Sequence, residues 1–325
     1  MKAHAIRIHK FGGPEVMEWK EVDVPHPGQG EVQIRHTAIG LNFIDTYHRT
    51  GLYPMNLPTG LGSEASGIVE AVGSSVTDIA VGDRVVYTGG PADSYSELRN
   101  FPASLLVPIP ESMSNEHAAA VFLKGLTAWY LLHHSYRVNK GDTVLLYAAA
   151  GGVGSLVSQW AKHLGAIVIG VVSTDEKAEL ARAQGCKYII MADDTDIPNS
   201  VRKLTSGEGV AAVYDSVGRD TFFASLDSLK LHGTMVTFGN SSGSVDPFAP
   251  SELAKRGSLY VTRPILFHFV NERKKLLHAC DDLFEVVANA TVSIRIGQRY
   301  ALKNVEKAHR DLEARKTKNS TILLP

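Results

Sequence analysis

A glycine-rich turn, AAGGVG at residues 149–154, follows the apolar run VLLYA and leads into a segment whose apolar residues fall at Leu156, Val157, Trp160 and Leu164. An apolar run, a turn and then a period near 3.6 describe strand, turn and helix. Glycines there let the backbone approach a pyrophosphate, and the first helical turn offers it unpaired N–H groups and the positive end of the peptide dipoles. Gly151 and Gly154 take the second and third glycine places of the dinucleotide fingerprint, with Gly152 and Val153 between them and Ala149 at the first place. The segment is therefore built to hold a dinucleotide.

Which dinucleotide is read at the end of the second strand, here Val171-Val172-Ser173-Thr174. A protein that takes NAD usually places an acid there for the ribose 2′-hydroxyl. Small hydroxyls at Ser173 and Thr174 leave room for a 2′-phosphate, and Lys177, one helical turn on, can neutralise it, so NADPH is favoured. Asp175 stands against this as a displaced ribose acid. A second group able to do chemistry is Glu64, a lone acid in the glycine-rich bend GLGSEASG at residues 60–67. Cysteine cannot complete a metal centre around it, because only Cys186 and Cys280 occur, far apart. That spacing excludes a disulfide framework and every cysteine-rich zinc pattern.

The elements that must position these residues come in two textures. Up to Pro110 the chain is punctuated by turns (Gly12-Gly13-Pro14, Pro25-His26-Pro27-Gly28, Gly73-Ser74, Gly82-Asp83) with short alternating runs between, which predicts a β-rich, barrel-like region. Residues 115–132 are helix-compatible and proline-free, with Ser114 or Asn115 as N-cap, and form the expected bridge to the second half. From Asp142 onward short apolar strands (143–147, 166–172, 211–215, 233–239, 258–262) alternate with helical segments at 155–164 and 177–184. That rhythm calls for a parallel sheet covered on both faces. Helices at 271–289 and 304–315 close the chain. The expected division is residues 1–125, 126–265 and a return segment 266–325. With 325 residues, 44% apolar and 21% charged, the chain can bury a large core, and its net charge of −1 gives no field to draw nucleic acid or an anionic membrane. The first ten residues lack the apolar run of a signal peptide and no later stretch is long enough to span a bilayer, so a cytoplasmic location is the expectation.

From Gly141-Asp142 to Gln159 and Lys162, the segment GDTVLLYAAAGGVGSLVSQWAK at 141–162 resembles the signature of the quinone oxidoreductase, or zeta-crystallin-like, branch of the medium-chain dehydrogenase/reductase superfamily. NFIDTYHRTGLYP (42–54), FLKGLTAWYLL (122–132), YDSVG (214–218), FGNSSG (238–243) and GSLYVTRP (257–264) add to the likeness, which spans essentially the whole chain. It implies an α/β fold: a GroES-like, β-barrel-type catalytic domain and a Rossmann domain with a doubly wound parallel sheet. Zinc-dependent members of that superfamily carry an early cysteine, a Gly-His-Glu bend and a four-cysteine lobe. This chain has Asn42 to Asp45 in the early segment, Ser63 before Glu64 and no cysteine before Cys186, so three ligands cannot be assembled and no metal is expected.

The resemblance also assigns roles. The loop of residues 42–47 lies beside the nicotinamide, with Asn42, Ile44, Asp45 and Thr46 on the cofactor and Tyr47 placing a phenol near the acceptor oxygen. A phenol with an ordinary pKa of ~10 donates a hydrogen bond better than a proton at neutral pH, so solvent can supply the proton. Tyr53 walls the substrate pocket. Thr127 and Tyr130, three apart on the bridging helix that also carries Lys124, approach the cofactor. Ser216, Phe238, Asn240, Ser241, Thr262 and Arg263 collect at the carboxyl ends of strands, where doubly wound sheets bind ligands, and Arg263 can anchor the nicotinamide or the acceptor. Arg315 matches a position that reaches the 2′-phosphate. One departure is Ala192, where close relatives place a tyrosine near that phosphate.

The expected activity is NADPH-dependent, zinc-independent reduction of a quinone. A quinone accepts hydride into a delocalised anion and needs orientation more than a Lewis acid. A second enzyme reading keeps fold and cofactor and makes the substrate an enal or enone. A third, suggested by zeta-crystallin-like relatives, is RNA binding; the near-neutral charge and the lack of a basic, aromatic stripe argue against it, and no nucleic acid or membrane partner is expected. The final strands TMVTFG and SLYVTRP predict a homodimer paired across the edge of the Rossmann sheet.

Overall fold

The computed structural model describes residues 1–325 in full. It divides into two compact units: Met1–Lys124 with Glu272–Cys280 and Ile294–Pro325, and Gly125–Asn271 with Asp281–Ser293. The stretch 266–325 is thus shared between them. The first division falls inside the helix Asn115–Tyr130, whose start is capped by the Ser114 hydroxyl accepting the His117 N–H at 3.2 Å.

The second unit holds six parallel strands in the order Tyr188–Met191, Ile167–Val172, Thr143–Tyr147, Val210–Asp215, Leu229–Thr237, Tyr260–Thr262. Counted from Thr143–Tyr147 this is the 3-2-1-4-5-6 order of the doubly wound fold, and the order reverses between Thr143–Tyr147 and Val210–Asp215. The central strands are apolar runs because both faces are covered, with Asp215 the one charged residue, at a strand end: every residue of Val210–Asp215 is buried, as are five of the six in Ile167–Val172. The last strand begins at Tyr260 and not at 258, because Ser258 turns the chain with a φ of 53°.

The first unit is built on a sheet ordered Ile296–Ala301, Ser320–Leu324, Glu31–Leu41, Glu64–Val72, Arg84–Thr88, Val107–Pro108, with Leu98–Pro102 also pairing Glu31–Leu41. A smaller sheet joins Glu18–Asp23, Lys2–Ile8 and Thr59–Gly60. Ile6, Ile34, Leu41, Val85, Tyr95, Phe101 and Leu323 pack in its core. One expected loop is a helix: residues 42–47 enter Phe43–Thr50, where Asp45 Oδ2 reaches back to the Asn42 N–H at 2.9 Å and Gly51 ends the helix with a φ of 80°. An acid three residues after an Asn N-cap makes the reciprocal bond of a capping box, and a left-handed glycine is a helix stop.

Ala149, at the first glycine place of the turn, is accommodated from the neighbouring strand. A Cβ on Gly170 would lie 2.8 Å from the Ala149 Cβ and 2.7 Å from Cys186 Sγ, so the missing side chain at 170 makes room for the methyl at 149. Gly170→Ala is expected to destabilise the chain by about 1–3 kcal/mol through overpacking. Adding Ala149→Gly should return part of that loss in a urea titration; equal losses for the single and double variants would show that the two positions are not coupled.

Candidate active site

Glu64, in the glycine-rich bend, is completely buried as the first residue of the strand Glu64–Val72. Its Oε2 accepts from Asn42 Nδ2 at 2.9 Å and faces Lys124 Nζ at 3.4 Å, while Oε1 accepts the Leu123 N–H at 2.5 Å. A Cβ at Gly40 would come within 2.0 Å of Glu64 Oε2 and 2.6 Å of the Ala119 carbonyl, so glycine there is what admits the carboxylate. Lys124 is only 5% exposed, which makes the pair a buried ion pair. Because a carboxylate only accepts, the Asn42 nitrogen must be the atom facing Glu64, and its oxygen is turned the other way. No three His, Cys, Asp or Glu side chains converge on a site that could hold a metal.

Asp45, also fully buried, faces inward. Its Oδ1 accepts from Ser63 Oγ at 2.9 Å and its Oδ2 from Tyr95 Oη at 2.8 Å, besides the Asn42 N–H. Burial pushes its carboxyl up to about 6, against the pull of those three donors and of the Lys124 charge. Tyr95 Oη lies 3.0 Å from His309 Nε2, and His309 Nδ1 lies 2.9 Å from Arg49 Nη1. Arg49, 1% exposed, also makes two bonds to Glu313 at 3.0 and 2.7 Å. Arginine only donates, so His309 Nδ1 carries the lone pair and Nε2 the hydrogen. Burial first, and the Arg49 charge second, push His309 down to about 3.

The remaining predicted residues of this unit sit on the same helix or near it. Thr46 Oγ1 bonds back to the Phe43 carbonyl at 2.7 Å, and Ile44 is half-buried. Tyr47 is buried with its ring edge-on to Tyr53, centroids 5.2 Å apart, and tilted against Phe43 at 6.3 Å. Arg315 belongs to this unit too, exposed beyond the helix Val305–Glu313 with a φ of 58°.

In the second unit the helix Gly152–His163 starts within the glycine turn. At Gly154 a Cβ would meet the Ala148 carbonyl at 2.2 Å and the Ala149 Cα at 2.8 Å, so the turn closes on the helix only with glycine there. Gly151, Gly152 and Val153 are half-exposed; the Gly151 N–H is bonded to the Ala148 carbonyl at 2.9 Å, so the N–H groups of Gly152 and Val153 in the first helical turn are the ones open to a pyrophosphate. Thr174 caps the helix Asp175–Ala183 by accepting the Lys177 N–H at 3.3 Å, and Lys177 Nζ lies 3.5 Å from Ser173 Oγ. Asp175 is exposed in the first turn, and Ala192 is tied by its N–H to the Val172 carbonyl at 2.8 Å. Thr127 and Tyr130 are buried, Tyr130 stacked on Phe269 at 5.1 Å.

Asp215, which the sequence reading passed over, organises the other side of the switch point. Fully buried, it accepts the N–H groups of Val217 and Gly218 at 2.7 and 3.0 Å and the hydroxyls of Thr221 and Ser225 at 2.7 Å each. Ser216 is thereby fixed at the strand end, where a Cβ on Gly239 would meet its carbonyl at 2.3 Å. The turn after Leu229–Thr237 docks on it: Phe238 N–H bonds Asp215 O at 2.8 Å, Ser241 N–H bonds Ser216 O at 3.3 Å and Gly243 N–H bonds Asn240 O at 3.0 Å. Arg263, exposed just after Thr262, donates to Gly239 O at 2.9 Å and Thr237 Oγ1 at 3.3 Å.

Residues 28–111 match the model of the alcohol dehydrogenase GroES-like domain and residues 152–282 that of the zinc-binding dehydrogenase. A quinone oxidoreductase of Pseudomonas aeruginosa is 48% identical over 99% of this chain and 100% of its own length. The chain belongs to the quinone oxidoreductase branch of the medium-chain dehydrogenase/reductase family. A solved structure of the Escherichia coli quinone oxidoreductase complexed with NADPH is 45% identical with a TM-score of 0.97, covering 99% of this chain and all of that one. The branch is not uniform in name: a 2-haloacrylate reductase of a Burkholderia species is 44% identical over 98% of both chains.

Glu64→Gln leaves Lys124 buried without its counter-charge and is expected to cost about 3–5 kcal/mol, whereas the double variant with Lys124→Met should lose less than the sum of the singles. Additive losses in a denaturant cycle would argue against the pair. On pH, His309 and His36, the latter buried in the strand Glu31–Leu41 with Nδ1 2.7 Å from the Ser96 carbonyl, are both pushed down to about 3 by burial, so below their ordinary 6.5 the unfolded chain binds protons that the folded chain refuses. Stability is then lost as pH falls from 6.5 toward 3. Asp45 acts with the opposite sign, the folded chain binding the extra proton between 3.8 and about 6. His309→Gln should flatten the slope of stability against pH and Asp45→Asn should steepen it.

Proposed function

We propose that the chain reduces quinones with NADPH and does so without zinc. The observation that carries the reading is the cradle at Gly151–Gly154 followed by Ser173 and Lys177: a glycine-lined helix start for a pyrophosphate, then hydroxyl and ammonium groups for a 2′-phosphate. Full-length identity of 45–48% to quinone oxidoreductases supports it. When bound, NADPH supplies a hydride. The Ser216, Phe238–Ser241 and Thr262–Arg263 turns at the carboxyl edge of the sheet would hold the cofactor; in the other unit, Asn42 would offer it a hydrogen bond and Tyr47, packed against Tyr53, would offer its O–H to an acceptor oxygen. Zinc has no place in this scheme because Glu64 is committed to Asn42, Leu123 and Lys124, and by the resemblance the stretch Asn42 to Asp45 and Ser63 stand in the segments where zinc-dependent members carry ligands.

A second acceptor class is favoured by the Burkholderia relative, whose name points to a conjugated alkene bearing a carbonyl group. No helix is long and apolar enough to cross a membrane, and we place the protein in the cytoplasm as a homodimer joined along the edge strand Tyr260–Thr262, where Tyr260 is 62% exposed. Steady-state oxidation of NADPH and of NADH by 1,4-benzoquinone, 9,10-phenanthrenequinone and 2-hexenal tests the reading. It predicts quinone turnover with NADPH preferred, and Lys177→Ala raising KM for NADPH about tenfold while leaving that for NADH nearly unchanged. NADPH binding with no turnover of any acceptor would contradict the enzyme reading, and a monomeric mass by light scattering at micromolar concentration would contradict the dimer.

A further inference from the structure

We propose that Tyr95 and His309 are positioning residues for hydride transfer: through Asp45 they hold Asn42 and the first turn of the Phe43–Thr50 helix in the orientation the reaction uses. The inference deepens the functional reading above and rests on it. The chain of bonds runs in one direction, Arg49 N–H to His309 Nδ1, His309 Nε2–H to Tyr95 Oη, and Tyr95 O–H to Asp45 Oδ2, at 2.9, 3.0 and 2.8 Å. Each donor meets an acceptor, and Glu313 anchors the far end on Arg49.

What the chain serves is visible at its near end. Asp45 takes the backbone N–H of Asn42, while Glu64 takes the Asn42 side-chain amide. One residue is therefore held at backbone and side chain by two separate, fully buried carboxylates. An N-cap on an exposed helix needs neither: a solvated side chain suffices to satisfy the first N–H groups. Here the cap is buried and is itself held by Tyr95, His309 and Arg49, so the position of the Asn42 backbone is tied to that chain of bonds while Glu64 holds its side chain. The charged and titratable groups facing Asp45 are Tyr95 from the turn before Leu98–Pro102, Lys124 from the helix Asn115–Tyr130 and, beyond Tyr95, His309 and Arg49; Glu64 faces it across Asn42.

The test uses the full chain and the variants Tyr95→Phe, His309→Gln, His309→Ala and Asp45→Asn, with folding checked by near-UV circular dichroism. Single-turnover oxidation of NADPH by 1,4-benzoquinone is followed against pH, and NADPH affinity is measured separately by fluorescence. Tyr95→Phe should slow hydride transfer about ten- to a hundredfold with NADPH affinity within about twofold of wild type, as expected when reacting groups are displaced but still bound. Its acid limb should move to higher pH, since Asp45 loses a hydrogen bond that favours its charged form, and Asp45→Asn should abolish that limb. His309→Gln, whose amide nitrogen can still donate to Tyr95, should be faster than His309→Ala. A folded Tyr95→Phe with wild-type rate and pH profile overturns the proposal. If Tyr95→Phe does not fold, equal rates for His309→Gln and His309→Ala overturn it, and a faster His309→Gln supports it. A wild-type chain that binds NADPH but turns over no quinone overturns the functional reading and this inference with it, whereas an active wild type with indifferent variants overturns the inference alone.

Discussion

A carboxylate removed from water has to be given donors, and in the first unit that requirement falls on Glu64 and Asp45 together. Desolvating an ion costs several kcal/mol even after relaxation, and the cost is met only if nearly every lone pair is occupied. Glu64 is given an amide, a helix N–H and an ammonium group; Asp45 has two hydroxyls and a backbone N–H, which offset only part of the cost and leave its carboxyl raised to about 6. Much of the surrounding sequence follows. Gly40 has no side chain because Glu64 fills the space, Ser63 is a hydroxyl because Asp45 needs a donor, and Asn42 lies between the two acids as the residue both of them hold. Glu64, the lone acid of the glycine-rich bend, and Asp45 together fix Asn42 at side chain and backbone.

The second unit solves a comparable problem in a similar way. Asp215 closes the strand Val210–Asp215 and gathers four donors from the ten residues that follow, which sets the path of the loop carrying Ser216. Close backbone approaches at Gly154 and Gly239 then do by exclusion what Asp215 does by attraction. The turns at the carboxyl edge are fixed where the strand order reverses, by Asp215 beneath Ser216 and by Arg263 on the Gly239 carbonyl. Rigid supports of this kind suit a reaction in which orientation contributes more than acid, base or metal.

The parallel sheet was legible because a strand covered on both faces must be an apolar run, and each of those runs stands out between glycines and helical periods. The pyrophosphate turn was legible for the same local reason. The helix Phe43–Thr50 was not read, although its Asn42, Asp45 and Gly51 carried the signal, because the surrounding texture is that of short strands and turns. Tyr95 and His309 could not be read at all. Their bonds to Asp45 and to each other span 50 and 214 residues, and nothing local distinguishes them from packed core residues. Asp215 lay inside a recognised motif but was hidden behind Ser216, since sequence shows which residue ends a strand and not which one holds the loop beneath it.

In this chain, orientation takes the place of a Lewis acid if hydride transfer needs no metal. The most direct measurement is single-turnover oxidation of 4-deuterated and unlabelled NADPH by 1,4-benzoquinone, using protein dialysed against a chelator and verified free of metal by mass spectrometry. The account predicts rapid oxidation with a primary isotope effect, unchanged on adding zinc. Loss of turnover in the metal-free protein, restored by zinc, would contradict it.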